Sequence, residues 1–273
     1  MYSGTVLLIL SSIISVHALD FRIVGGHDAQ RGKYPYQALI RRSNVFICGG
    51  SIISKRYILT AAHCIYKQKR LDYEVNVGHY SVYEWATVYR AEQLIWHPAY
   101  NDVTLINDIG LIYLKSNILF DSKVKPIGLA TKFAIPANQP AVVTGWGSLV
   151  LNGKASEYLQ EISLKIIPND VCVVTWSTLK STQICTLTKV SEGVCHGDSG
   201  GPLVVDSEQV GIVSYGNPCA NGLPDVYTRV YSYKSWIEEY TNPKGSSGGA
   251  TNIFSNTCIQ ILLAVLTYLH FIA

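Results

Sequence analysis

An all-β fold is what this sequence predicts, and three observations predict it. Between Ile23 and about Thr241 the chain runs as short β-rich stretches broken by Gly, Pro, Asn and Asp. A 3.6-residue period is absent until Tyr231 to Tyr240. The composition, 48% hydrophobic and 11% aromatic with only 15% charged, belongs to a chain that packs a core and not to a disordered one. Many short strands with regular turn signals point to barrels or sandwiches.

The stretches come in order as Tyr36-Gln37-Ala38-Leu39-Ile40, Ser51 to Leu59, Glu74 to Gly78, Ala141 to Gly145, Leu203 to Val205 and Gly211 to Tyr215. Near the end, Tyr233, Trp236, Ile237 and Tyr240 recur at spacings of three and four, which predicts one short amphipathic helix. Asn242-Pro243 stops it, and Gly245 to Ala250 reads as a flexible linker. The net charge of +3 and the lack of a long basic run argue against a nucleic-acid partner.

The two termini read as targeting segments. Val6 to Ile14 is apolar and is followed by Ser15-Val16-His17-Ala18, which fits the small-residue rule for signal peptidase with cleavage after Ala18. Residues 1–18 are therefore expected to be a signal peptide, and the protein secreted. An oxidising compartment pairs cysteines. Cys48, Cys64, Cys172, Cys185, Cys195 and Cys219 could pair in fifteen ways, with Cys258 left over in the tail. Ile259 to Ala273 is apolar with His270 its only ionisable side chain, shorter than the roughly 20 residues of a membrane span. Small residues around Ser246 and Ser247, a spacer and this tail fit a GPI-attachment signal over 243–273, with a short membrane helix or an uncleaved soluble tail as the alternatives. Attachment at Ser246 or Ser247 would remove Cys258 with the tail and place the protein at the cell surface through a lipid anchor.

Three segments carry the chemistry: Thr60-Ala61-Ala62-His63-Cys64, Asn107-Asp108-Ile109-Gly110-Leu111 and Gly197-Asp198-Ser199-Gly200-Gly201-Pro202. A serine hydroxyl needs a base to take its proton, and histidine serves near neutral pH. A buried aspartate orients the imidazole and stabilises its cation. Glycines beside Ser199 let the Gly197 and Ser199 N–H groups converge on one oxyanion.

On these motifs and their order the chain resembles the trypsin- and chymotrypsin-like serine endopeptidases from Arg22 to about Thr241. The resemblance implies two packed six-stranded antiparallel β-barrels, about 23–130 and 131–242, with a cleft between them and a short C-terminal helix. It implies His63 as general base, Asp108 as its orienting partner, Ser199 as nucleophile, and Ser214-Tyr215-Gly216 as the strand that pairs with substrate. Tyr215 stands where Trp is commoner, and Gly110 where Ala is usual. Arg22-Ile23-Val24-Gly25-Gly26 is similar to the family's activation site. A propeptide of residues 19–22 would be cut by a trypsin-like protease, freeing the Ile23 amino group to pair with Asp198. The resemblance also suggests disulfides Cys48–Cys64, Cys172–Cys185 and Cys195–Cys219. No cofactor or metal is expected, since His79 stands where calcium-binding members carry a carboxylate. The expected partners are protein or peptide substrates, and the protein is expected to be a monomer.

The primary pocket departs from trypsin. Gly193, followed by Val194, stands where trypsins place the acid that selects Lys or Arg, while Asp225 aligns with the opposite wall. The arrangement is similar to that of broad-specificity crustacean collagenolytic proteases. Inside the pocket Asp225 would give mixed cleavage after basic and large apolar residues; turned away, it would leave a chymotrypsin-like pocket. The rival to an enzyme is an inactive homologue acting as a binding protein, but such chains usually lose one of the three residues present here.

Overall fold

The computed structural model describes residues 23–84, 87–217 and 219–242. The signal peptide, propeptide, Arg22, linker, Ser246, Ser247, Cys258 and apolar tail lie outside the described residues. By internal packing the chain divides into a unit ending at Ser235 and a second from Trp236 onward.

A two-residue strand, β1 (His27–Asp28), precedes six strands: β2 (Gln37–Arg42), β3 (Val45–Ile52), β4 (Tyr57–Thr60), β5 (Tyr73–Val77), β6 (Thr87–Trp96) and β7 (Gly110–Leu114). They close into a barrel in the order β2-β3-β4-β7-β6-β5. After the short β8 (Gly128–Leu129) come β9 (Pro140–Gly145), β10 (Gln160–Ile167), β11 (Gln183–Leu187), β12 (Pro202–Val205), β13 (Glu208–Tyr215) and β14 (Asp225–Arg229). These follow the order β10-β11-β14-β13-β12-β9, and pairing of β9 with β10 closes the second barrel. The two six-stranded barrels expected from the resemblance are both present. β1 crosses over to pair with β10, so the N-terminal segment is bound to the second barrel.

The second barrel shows why these residues form strands. Ala141 and Val143, Ile162, Leu164 and Ile166, and Leu203 and Val205 point into one core, while the intervening Ser163 and Lys165 are exposed. This two-residue alternation is the pleat of a sheet with one buried face. Tyr227 fills the core centre, its hydroxyl 3.1 Å from that of Thr186.

Two elements differ from expectation. The run from Ser51 to Leu59 is two strands, because Ser54 Oγ accepts the Arg56 and Tyr57 N–H groups (3.3 and 3.2 Å) and folds the chain into a turn. The C-terminal helix begins as a 3-10 turn over Val230–Tyr233, where buried Tyr233 donates its hydroxyl to Asn107 Oδ1 at 2.8 Å. A short helix, α1 (Asn169–Cys172), lies between β10 and β11, and the C-terminal helix is α2 (Lys234–Thr241). In the second unit the Trp236 and Tyr240 rings meet edge-on, and Thr241 Oγ1 donates to the Ile237 carbonyl.

The three expected disulfides are formed: Cys48–Cys64, Cys172–Cys185 and Cys195–Cys219. Each is worth about 2–4 kcal/mol. Buried polar side chains join the barrels. Thr144 Oγ1 donates to Gln37 Oε1 at 2.7 Å, Gln37 Nε2 donates to the Thr144 carbonyl at 3.3 Å, and Ser51 Oγ donates to Gln209 Oε1 at 2.6 Å. Stranding one partner costs more than removing both. Gln37→Leu is expected to destabilise the protein by about 1–3 kcal/mol in urea unfolding, and the added Thr144→Val change to cost less than its effect alone. Additive losses would mean that the pair does not join the barrels.

Candidate active site

The site is assembled by loops that leave the barrels. His63 follows β4 on a 3-10 turn, Ala62–Cys64, tied back by the Cys48–Cys64 disulfide. Asp108 precedes β7. The residue before it, Asn107, has φ of 58°, a conformation asparagine tolerates better than most residues. Its side chain is held at both atoms, Nδ2 donating to the Ala99 carbonyl (2.7 Å) and Oδ1 accepting from Tyr233. The chain is thereby turned so that Asp108 enters the interior, where it is fully buried.

A buried carboxylate needs donors, and Asp108 has three. His63 Nδ1 lies 2.7 Å from Oδ2, the His63 backbone N–H donates to Oδ1 at 2.9 Å, and Ser214 Oγ donates to Oδ2 at 2.6 Å. Thr228 Oγ1 donates to the Asp108 carbonyl at 2.7 Å. With Nδ1 engaged, Nε2 is the imidazole nitrogen left to meet a substrate or nucleophile. Burial lowers the His63 pKa, but the charge and hydrogen bond of Asp108 outweigh it and leave the pKa above its ordinary 6.5.

Ser214 also lines a cavity of about 150 Å³, shared with Ser199, Val194, Tyr215 and Gly216. His196 and Asn217 are also on its wall. Ser199 is half-buried, and its carbonyl accepts the Gly49 N–H of the first barrel at 2.8 Å. Gly197, with φ of 100°, sits where a side chain would be strained and would meet the Phe46 ring, so only glycine turns the loop this tightly. The Tyr215 ring packs edge-on against Trp176, whose indole N–H donates to the Pro224 carbonyl at 2.8 Å. Gly110 faces the Ile65 side chain, whose tip a methyl group there would displace.

Below the cavity three consecutive backbone amides hold three different groups. Gly193 N–H donates to the Val24 carbonyl (3.0 Å), Val194 N–H to Asp225 Oδ2 (2.9 Å) and Cys195 N–H to Asp198 Oδ2 (3.0 Å). Asp198 Oδ1 also accepts the Gly147 N–H at 2.8 Å. Burial raises the Asp198 pKa to about 6 and that of Asp225 to about 7. The Asp225 carboxylate packs against Gly193 and against Gly216, which lines the cavity: a methyl group on either glycine would collide with it. Val24 is buried against the Cys195–Cys219 disulfide and Ala220.

His63, Asp108 and Ser214 thus form one hydrogen-bonded group, Ser199 shares a cavity with Ser214, and Gly193, Asp198 and Asp225 share one strand of amides. Thr228 and Trp176 were not read from the sequence. Their roles exist only through contacts with residues distant along the chain, and no local motif marks them.

A family model described as Trypsin matches residues 23–237. The chain is 49% identical over 217 residues to Chymotrypsin-2 of Vespa crabro, covering 80% of this chain and 99% of that one. It is 38% identical over 227 residues to Hypodermin-B of Hypoderma lineatum, covering 81% and 88%, and 36% identical over 229 residues to Trypsin of Sarcophaga bullata, covering 81% and 89%. With two closed barrels and a His–Asp–Ser segment order already in place, these likenesses make the chain a member of the trypsin- and chymotrypsin-like family of serine endopeptidases.

Proposed function

We propose that the protein is a secreted serine endopeptidase, made as a zymogen, that cleaves after both basic and large apolar residues. The observation that carries the catalytic part is the buried Asp108 carboxylate gripped by His63 Nδ1 and Ser214 beside a cavity bearing Ser199. In this mechanism Ser199 Oγ attacks the scissile carbonyl while His63 Nε2 takes its proton. Asp108 stabilises the imidazolium, and the Gly197 and Ser199 N–H groups hold the oxyanion. His63 then gives the proton to the leaving amine, and water releases the acyl group by the reverse sequence.

His63 must be neutral to act as base. Its pKa is raised, so the acid limb of kcat/KM is expected above pH 6.5. An organophosphate is expected to label Ser199, and Ser199→Ala to lower kcat by about a million-fold. Labelling elsewhere, or a Ser199→Ala variant with wild-type rate, would refute the assignment.

The specificity reading rests on Asp225. Its carboxyl is desolvated beside Gly216 of the cavity wall with a pKa near 7, so its charge changes in the working range. Below that pKa the neutral acid tolerates apolar side chains; above it the carboxylate favours a cation. Digests of mixed peptides by the processed enzyme, read by mass spectrometry, are expected to show the ratio of basic to aromatic cuts rising from pH 6 to pH 8. In Asp225→Asn the ratio should be low and independent of pH. A wild-type ratio that is flat with pH would make Asp225 structural and the pocket chymotrypsin-like.

Activation follows from Asp198. A buried acid with a raised pKa gains from a cation, and an ammonium freed at Ile23 would supply one next to the docked Val24. The free α-amino pKa is about 8, and pairing raises it. Activity supported by this pair holds while Asp198 is ionised and the amine protonated, and is lost as pH rises through the amine's raised pKa. Arg22→Gln is expected to leave the secreted protein inactive after trypsin treatment. The C-terminal reading predicts release of the protein from cells by phosphatidylinositol-specific phospholipase. Activity of Arg22→Gln without cleavage would overturn the zymogen, and resistance to the lipase would overturn the lipid anchor.

A further inference from the structure

A second cavity, of about 290 Å³, opens on the second barrel apart from the catalytic cleft. Its wall is apolar, formed by Phe133, Ile135, Ile166, Ile167 and Ile184, and Arg229 lies in it at the end of β14. Arg229 is only 8% exposed. Its Nε–H donates to the Ser181 carbonyl (3.0 Å), Nη1 to the Phe133 carbonyl (2.9 Å), and Nη2 to the Gln183 carbonyl (2.9 Å) and Asn169 Oδ1 (3.2 Å).

These four bonds satisfy four of the five guanidinium donors. One Nη1–H keeps no acceptor among the described residues, and all four acceptors are neutral. Among the described residues no carboxylate forms an ion pair with Arg229. A guanidinium remains charged when buried, so this wall holds a cation with no compensating anion. The half-exposed Phe133 ring covers it, centred 4.6 Å from the guanidinium carbon.

We propose that this cavity binds a small apolar monocarboxylate of the fatty-acid type, its carboxylate on the Arg229 Nη1–H and its chain along Ile135, Ile166 and Ile184. The charge-assisted bond supplies the missing anion, and the isoleucine wall removes the chain from water. The volume lies at the lower limit of small-molecule pockets, about 300–1,000 Å³, which suits a short chain and not a polypeptide segment. A free amino acid is disfavoured because its ammonium would face the guanidinium.

The test is calorimetric titration of the purified full chain carrying Ser199→Ala, using octanoate, octanol, acetate and leucine. Octanoate is expected to bind one-to-one and at least about tenfold more tightly than each of the others. Ala134→Glu places a like charge at the cavity, where Ala134 takes no part in the Arg229 bonds. It is expected to weaken octanoate at least tenfold and to leave peptide hydrolysis by the processed enzyme with Ser199 intact unchanged. Equal affinity for octanoate and octanol, no saturable heat, or undiminished binding in Ala134→Glu would each overturn the proposal. Because the reading is of heat and not of turnover, it stands or falls separately from the proteolytic assignment.

Discussion

The structure depends on one buried charge. Asp108 lies at the junction of the barrels, and a carboxylate removed from water there is tolerable only when its oxygens are bonded. The donors to it come from both sides, His63 from the first barrel's turn and Ser214 from β13, while Thr228 of β14 donates to the Asp108 backbone carbonyl. Neither barrel alone can satisfy this group, so docking the barrels and building the site are one event. The Gln37–Thr144 and Ser51–Gln209 bonds spread the same dependence along the interface. Each buries polar groups that only the opposite barrel can satisfy.

The loops around this charge are held more firmly than loops usually are. Asn107 is pinned at both side-chain atoms, the His63 turn is closed by a disulfide, and Ser199 is tied through its carbonyl to Gly49. Catalytic geometry demands such support, because groups aimed at a developing charge must be in place before the charge appears. Residues outside the reactive group supply that rigidity.

Much of this was legible in the sequence because it is local. The alternation of buried and exposed positions marks strands such as Ala141–Gly145, and the motifs around His63, Asp108 and Ser199 are contiguous. What depends on through-space contact was not. Composition and turn spacing left barrels and sandwiches open; the pairing of β9 with β10 decides between them. The spacing of six cysteines left fifteen pairings open, and the three that form are those the family resemblance suggested. The break at Ser54 escaped because Ser54 looks like any polar residue until its hydroxyl takes two amide protons. Asp225 could be assigned to the pocket's far side, but its bond to Val194 and its packing against two glycines exist only in the folded chain.

The three consecutive amides of Gly193, Val194 and Cys195 link matters usually treated apart. One grips the amino-terminal segment, the next Asp225 beside Gly216, and the third Asp198 of the Ser199 loop. Each of these amides is aimed by the group it binds, so three distant parts of the chain hold one short run of backbone between them. Displacing Asp225 therefore also loosens the backbone that carries the Val24 and Asp198 bonds. The wall of the cavity at Val194 and the seat of the amino-terminal segment are thus two sides of a single support.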